Sequence, residues 1–132
     1  MLKIFKILKL YEMWLLRTAV AFPMLWAGIG GIGEPNKWIG FVPDFVEIFF
    51  SKDTFLMMHS LSLILMAILL ITGPMRWFFS VIAFFNLISI LIFFGLDDIT
   101  FRDVGLALAA LVLTVREFEA SHLSSAGRAI LS

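Results

Sequence analysis

The chain has 132 residues and no net charge, and 61% of its residues are hydrophobic while 15% are charged. Soluble globular domains have about 45–50% apolar and about 25% charged residues. The composition therefore excludes a soluble domain, a disordered chain and a nucleic-acid-binding module. A membrane-spanning helix takes about 20 apolar residues. Since 61% of 132 is about 81, the apolar residues suffice for four membrane spans.

The sequence also limits the redox chemistry available to the chain. Cysteine is absent, and the two histidines are His59 and His122. The absence of cysteine excludes disulfides, thiolate-ligated clusters and covalent c-type haem. We expect no metal site and no covalently bound cofactor. A redox role would need a diffusible cofactor such as a quinone, or a partner subunit.

Four hydrophobic segments predict transmembrane helices over residues 11–33, 54–73, 75–95 and 101–119. The second has no charged residue, and the third has one only at its start. The first reaches spanning length only by including Arg17, and the fourth only by including Arg102 and Asp103. We therefore predict an all-α membrane protein whose single domain, residues 1–132, is a four-helix transmembrane bundle.

Local residues predict where these helices begin and end. Gly73-Pro74 separates the second and third spans, because glycine suits a helix C-terminus and proline the first turn of the next helix. The short connection predicts an antiparallel hairpin. Thr100 and Asp103 have the spacing of a capping box before the fourth span, and Ser51 or Asp53 could cap the second.

The loop between the first two spans has an amphipathic pattern. Polar residues recur at spacings of three and four from Lys37 to Ser51, with aromatic and aliphatic residues between them. This pattern is typical of a helix lying in the membrane interface. Because proline restricts a helix, we predict an irregular lead-in over residues 35–42 and a short amphipathic helix over residues 43–50, beginning at Pro43.

The distribution of basic residues predicts the orientation. Six lie on the side of the two termini and the second-to-third turn: Lys3, Lys6, Lys9, Arg76, Arg116 and Arg128. The opposite side is mostly acidic, so both termini are expected on the cytoplasmic side of the membrane. The expected membrane is a prokaryotic plasma membrane. The N-terminal lysines predict an amphipathic anchor on the cytoplasmic leaflet. Ala19-Val20-Ala21 resembles a signal-peptide cleavage site, but Glu12 and Arg17 interrupt the apolar region that such a peptide needs.

Several segments together resemble the DoxX-like family of small four-helix membrane proteins. The first span contains RTAVAFPMLWAG at residues 17–28, and the following loop contains EPNKWIGFVP at residues 34–43. His59 lies early in the second span, Thr72-Gly73 ends it, and LDDITFRDVGL occupies residues 96–106. The similarity covers residues 11–119. It rests on the combination and order of these segments rather than on one motif.

The resemblance implies a four-helix bundle and, more loosely, a function. Some relatives are named as the membrane subunit of a thiosulfate:quinone oxidoreductase, and others associate with redox or oxidative-stress complexes. By analogy we expect a membrane subunit or accessory of a quinone-linked complex that is not catalytic alone. No family catalytic residue maps onto the chain, so enzymatic activity stays open. The alternative is a non-enzymatic membrane protein: a structural assembly subunit, or a lipid or small-molecule carrier, which at this size would need to form homo-oligomers.

Arg17 is an ionisable residue within the first span. Such a group costs at least ~2.5 kcal/mol on insertion scales, so it needs a partner or a path to the surface. One interpretation is that its side chain snorkels to lipid phosphates. The other is a buried arginine that pairs with Glu12, Glu117 or Glu119, or that holds an anionic ligand. Pro23 removes the helical donor to the Ala19 carbonyl, which could then accept another partner.

Two further polar residues lie within predicted spans. His59 could be a core histidine bonded to a neighbouring helix. It could instead donate to a quinone carbonyl or transfer protons. Asn86, near the middle of the third span, predicts an interhelical hydrogen bond.

A charge cluster lies at the predicted outer end of the fourth span. It has a structural interpretation, with capping by Thr100 and Asp103 and an Arg102–Asp98 salt bridge. It also has a functional interpretation, in which these charges meet groups of similar depth on other elements. The candidate outer pocket then comprises Glu34, Trp38, His59, Asp98, Arg102 and Asp103, closed by the interfacial loop.

Small residues predict helix contacts. Ala27 and Gly31 in the first span, and Gly105 and Ala109 in the fourth, are spaced four apart as in close-packed membrane helices. We therefore expect the first and fourth spans to pack together, with Arg17 near the inner end of the fourth.

Overall fold

The computed structural model describes residues 1–96 and 100–131. Every regular element in these ranges is helical, and no strand is found among them. Five α-helices follow in chain order: α1 (Leu2–Gly33), α2 (Pro35–Trp38), α3 (Lys52–Thr72), α4 (Arg76–Phe94) and α5 (Phe101–Leu131). Two short 3₁₀ helices, Ile39–Phe41 and Asp44–Ile48, lie between α2 and α3.

Three helices of the described chain are long and apolar enough to cross a membrane. They are Leu2–Gly33, Lys52–Thr72 and Arg76–Phe93. α5 is not among them, because its uncharged stretch covers only residues 104–115. Large apolar side chains are exposed around these helices, as lipid contact requires and as water would not favour. The prediction of an all-helical protein is therefore confirmed for the described residues, and three helices of spanning length support a membrane protein.

All four long helices contribute to one core. Its most buried members are Ala21 and Val20 of α1, Leu70 of α3, Ala83 of α4 and Leu113 of α5. α1 packs mainly against α3, and α4 mainly against α5. α5 also contacts α1, so the two pairs close into one bundle. The predicted hairpin of α3 and α4 is present, but these two helices share less contact than either does with its main neighbour.

Glycines of α1 face α3 rather than α5. A Cβ at Gly28 would lie 2.7 Å from the Ser60 carbonyl oxygen, and a Cβ at Gly31 would overlap the Ser60 hydroxyl. Around Gly105 of α5, by contrast, nothing lies within 4 Å of the place where a Cβ would stand. The expected packing of α1 against α5 is present, with Arg17 near the inner end of α5, but Gly31 and Gly105 do not form this contact because the α1 glycines face α3.

The turn between α3 and α4 spans three residues. Gly73 follows α3 in an extended conformation, and its N–H bonds the Leu69 carbonyl at 2.8 Å. Met75 precedes α4 with φ of 54°, a left-handed conformation that is uncommon for a residue with a side chain. The sequence suggested that Pro74 lies in the first turn of α4. It lies instead in the connection that precedes this helix.

The loop between α1 and α3 is more tightly wound than predicted. Val42 and Pro43 are extended, and a five-residue 3₁₀ helix, Asp44–Ile48, replaces the regular helix expected over residues 43–50. Val42 and Val46 are buried against Leu56 of α3, while Phe49 and Phe50 remain exposed. The two buried valines therefore hold this tightly wound loop against α3.

The helices extend beyond the predicted spans at one end. α1 begins at Leu2 rather than near residue 11, and it continues through Pro23 without a break. α5 runs to Leu131 rather than to residue 119. The N-terminal arm is therefore continuous with α1 and not a separate anchor. The other predicted boundaries lie within two residues of those observed.

Candidate functional site

A buried ion pair joins α1 to α5. Arg17 Nε donates to Glu117 Oε1, and the two residues are only 8% and 6% exposed. The Arg17 guanidinium also lies over the Trp14 ring, 5.4 Å from its centroid. Of the interpretations of Arg17, the structure supports a buried pair with Glu117. The pair brings together residues 100 positions apart in the sequence.

A second ion pair lies beside the first and is more exposed. Arg116 Nη2 donates to Glu12 Oε1 at 2.6 Å, with the two side chains about half-exposed. α1 and α5 are thus linked by two ion pairs. α1 supplies the base in one pair and the acid in the other. Arg116 and Glu117 of α5 are therefore both paired with α1.

The loop residues of the candidate pocket have partners close to them in sequence. Glu34 is exposed and pairs with Lys37 at 2.7 Å. Trp38 lies over Gly30, where a Cβ would meet its indole nitrogen at 2.6 Å, and its ring is 5.9 Å from that of Phe41. Trp38 therefore holds the loop against the end of α1.

A further ion pair joins this loop to the start of α3. Lys52 Nζ donates to Asp44 Oδ1 at 2.6 Å. This hydrogen bond and the lysine charge hold the pKa of the Asp44 carboxyl below its usual value. The predicted cap is also present nearby, because Ser51 Oγ accepts from the Thr54 N–H at 3.3 Å.

His59 is half-buried on α3. Its ring stacks on Phe55, with the centroids 5.8 Å apart and the planes at 6°. The Ser62 hydroxyl donates to the His59 carbonyl oxygen at 2.6 Å. No hydrogen bond to the His59 ring is found within the described ranges. The predicted hydrogen bond to a neighbouring helix is therefore not seen among the described residues.

The charge cluster before α5 is only partly described. Asp97 and Asp98 lie outside the described residues, so the expected Arg102–Asp98 salt bridge does too. Arg102 is largely exposed, with Nε 3.9 Å from Asp103 Oδ1. The helix begins after Thr100 as predicted, and the buried Thr100 hydroxyl donates to the Gly95 carbonyl oxygen at 2.6 Å. Thr100 thus joins the end of α4 to the start of α5.

Asn86 is half-buried in α4 and has no hydrogen-bond partner among the described side chains and backbone groups. The nearby Ser89 hydroxyl donates to the Phe85 carbonyl oxygen of its own helix at 2.8 Å. The interhelical bond predicted for Asn86 is not seen within this chain.

Two shallow grooves lie on the outside of the bundle. The first follows α1 and is lined by aromatic, aliphatic and small residues: Tyr11, Trp14, Leu15, Thr18, Ala19, Phe22 and Pro23. The second lies on α5 between Leu111 and Glu119. Neither groove includes a residue of the predicted outer pocket.

No ion pair or ring contact joins Glu34, His59 and Arg102 to one another in the described part of the chain. The outer pocket therefore stays a prediction. The Glu12–Arg116 pair was not predicted, although the opposite charges at equal depth on the first and fourth spans were a usable indication. The α1 groove was not predicted either, because it depends on the relative sizes of residues on one helix face.

The described residues contain no group of three or more His, Asp or Glu side chains placed to hold a metal ion. Comparisons with protein-family models, curated proteins and solved structures gave no match to this chain. The DoxX-like resemblance stays a prediction.

Proposed function

We propose that the chain is a four-span integral membrane protein in which α5 is the fourth span. The observation that carries this proposal is the buried Arg17–Glu117 pair. The short apolar stretch of α5 is followed by Arg116 and Glu117, and both charges are paired with α1. Pairing offsets part of the insertion penalty of an ionisable group in lipid. Ala110 and Leu113, fully buried in the common core, also favour a spanning α5.

The topology can be tested with single cysteines, because the chain has none of its own. We would introduce Gly33→Cys, Pro74→Cys, Leu96→Cys and Gly127→Cys one at a time and label intact cells with a membrane-impermeant maleimide. Four spans predict that positions 33 and 96 label from outside and positions 74 and 127 do not. Labelling of position 127 together with position 96 would show that α5 does not cross.

As the function, we propose a membrane subunit or accessory of a quinone-linked redox or oxidative-stress complex in a prokaryotic plasma membrane, with both termini cytoplasmic. The support comes from the segment resemblance, the half-buried His59 ring, which has no hydrogen bond to the described residues, and the large lipid-facing surface. The charged groups Arg17 and Glu117 bind each other and so serve the bundle itself. The proposal assigns catalysis to a partner and not to this chain alone.

Purification in mild detergent followed by mass spectrometry tests the redox role. A co-purifying quinone that is lost in His59→Ala and kept in His122→Ala would support it. His122 is the matched control, because it is the other histidine and lies on the exposed end of α5. Quinone retained equally in both variants would remove His59 from the proposal, and absence of quinone and of any redox partner would count against the function.

The second candidate is a carrier of lipid or small apolar molecules. The α1 groove favours it, because Ala19 and Pro23 both line this groove. Proline has no N–H, so the Ala19 carbonyl lacks its usual helical donor and can accept a hydrogen bond from a bound molecule. Co-purification of lipid alone would favour this role, and cross-linking of two copies would show whether a carrier this small acts as an oligomer.

A further inference from the structure

α1 and α5 both project beyond the core at the same end of the bundle. All side chains from Leu2 to Tyr11 of α1 are exposed, a length of about 15 Å at 1.5 Å per residue. All those from Phe118 to Ile130 of α5 are exposed as well, over about 20 Å. The Arg17–Glu117 pair marks the level at which the two helices leave the core.

The lysines of the α1 projection continue the buried face of that helix. Lys6 lies eleven residues before Arg17, and Lys9 lies eleven before Val20. Eleven residues make about three helical turns, so the members of each pair share a face. Arg17 and Val20 are buried against other helices. Lys6 and Lys9 therefore lie below the bundle, on the side facing its axis, and Lys3 lies close to the same line.

The α5 projection repeats this arrangement. Arg128 lies eleven residues after Glu117 and so continues the face that Glu117 turns to α1. Its Nη2 is 3.1 Å from the Ser124 hydroxyl oxygen, one turn nearer the core. The face of α1 that meets the Arg17–Glu117 pair thus continues with three lysines, and the matching face of α5 continues with one arginine.

Acidic partners are missing from these two faces. No ion pair joins Lys3, Lys6 or Lys9 to any residue that the structure describes, and Glu12 is already bound to Arg116. Arg76, at the same end of the bundle, has a buried Nε without a hydrogen-bond partner. Facing groups of like charge repel each other unless an anion lies between them. An anion placed between these basic residues would therefore be attracted from both helices.

The opposite face of the α1 projection decides between lipid and protein as the source of that charge. Ile4 lies eleven residues before Leu15, and Leu8 seven before it, so these apolar residues continue the lipid-facing side of α1. Headgroups surrounding the bundle meet this apolar side. The lysines face the space between α1 and α5 rather than the surrounding lipid, and this favours a soluble partner over the leaflet anchor expected from the sequence.

We propose that the space between the basic faces of α1 and α5 binds an acidic segment of a water-soluble partner protein. The inference deepens the proposed function, because this partner would be the peripheral component of the complex. The binding itself requires only the two charged faces, so it can be tested without a quinone or a redox partner.

The test uses the full chain in nanodiscs of zwitterionic phosphatidylcholine and a fluorescent poly-glutamate peptide as the probe. The triple variant Lys3→Gln, Lys6→Gln and Lys9→Gln is expected to weaken probe binding by about tenfold or more, and binding to the unaltered chain should weaken with added salt. Unchanged binding in the triple variant would overturn the proposal.

A rotated variant separates the face from the net charge. It combines the three glutamines with Ile4→Lys, Ile7→Lys and Leu8→Lys, which keeps three lysines but moves them to the lipid-facing side. We expect it not to restore binding, and full restoration would overturn the proposal. Arg128→Gln gives an independent measurement on α5, because it leaves α1 intact and should weaken binding by about threefold. No effect of this variant would also count against the site.

Lipid as the occupant is distinguished with nanodiscs in which phosphatidylserine replaces part of the phosphatidylcholine. We expect the probe still to bind, with the same dependence on the three lysines. If anionic lipid abolishes probe binding and is itself enriched by those lysines, the site belongs to the leaflet and the proposal is overturned. Because the probe assay does not involve quinone, a failed redox role and a failed acidic site give different results.

Discussion

α1 contacts its two neighbours in different ways. Against α3 it uses Gly28 and Gly31, which bring the helix backbone close to Ser60. Against α5 it uses ion pairs at one end, of which Arg17–Glu117 is buried. The first contact depends on the absence of side chains, and the second on side chains of opposite charge.

The difference matters because lipid changes the energetics of helix association. Lipid tails are as apolar as leucine, so close packing of small residues is a main source of attraction between membrane helices. A charged pair does not gain in the same way, because its Coulomb attraction has to offset the desolvation of both groups. We infer that the α1–α3 contact supplies stability and that the Arg17–Glu117 pair mainly fixes which residues of α1 and α5 meet.

The largest expected effect is that of removing one partner of the buried pair. Arg17→Ala leaves Glu117 buried without a counter-charge, and we expect it to lower the free energy of unfolding by about 3–5 kcal/mol. Reversible unfolding in mixed micelles with increasing sodium dodecyl sulfate measures this change.

The double variant Arg17→Met with Glu117→Met is the matched control. Replacing both charges with apolar residues of similar length should recover most of the stability, because no charge is then left unpaired. If the double variant is as unstable as Arg17→Ala, the pair is itself a source of stability, and the contrast between the two contacts of α1 does not hold.

The next effect concerns the glycine contact. A Cβ at Gly28 would lie 2.7 Å from the Ser60 carbonyl oxygen, and this backbone atom cannot move away as a side chain could. We expect Gly28→Ala to lower the free energy of unfolding by about 1–3 kcal/mol, although alanine favours a helix more than glycine does.

Gly105→Ala is the control for the same chemical change in an open environment. Nothing lies within 4 Å of a Cβ at this position, so the helix propensity of alanine should leave stability unchanged or raise it by up to about 1 kcal/mol. The same micelle titration applies to both variants. Equal effects at the two positions would contradict close packing at Gly28.

Much of the fold follows from residues whose effect is local. Uncharged stretches locate α3 and α4, because a single apolar segment of this length satisfies its own backbone groups in lipid only as a helix. Ser51 marks the start of α3 because its short hydroxyl side chain accepts from a backbone N–H in the first turn. The lengths of α1 and α5 could not be predicted in this way, since nothing local ends an exposed helix whose residues all tolerate helical geometry.

The candidate site was less predictable because it depends on which faces meet. Three acidic residues were candidate partners for Arg17, and the choice of Glu117 depends on the rotation of α5. The same limitation explains the error at Gly105, which has the right spacing for a helix contact but faces open space. Spacing along one helix identifies a face, but the neighbour of that face is set by the whole bundle.

A smaller effect is expected from the exposed ion pair. Glu12→Gln removes the partner of Arg116, whose side chain is half-exposed and can turn to water or headgroups. We expect the free energy of unfolding to fall by less than about 1 kcal/mol, as is typical of exposed pairs. A loss as large as that of Arg17→Ala in the same titration would mean that burial is not what separates the two pairs.

The smallest effect concerns the loop that lies over the α1–α3 contact, where Asp44 accepts a hydrogen bond from Lys52. The folded state lowers the pKa of Asp44 below the usual 3.8, so the pair stabilises the loop fully above that pH and is lost as the pH falls through the lower folded value. We expect Asp44→Asn to be slightly less stable than the unaltered chain at neutral pH and equal to it in strong acid. Unfolding measured across this pH range checks the convergence, and Glu47→Gln, which removes a carboxylate 4.0 Å from Lys52, should leave most of the acid dependence in place.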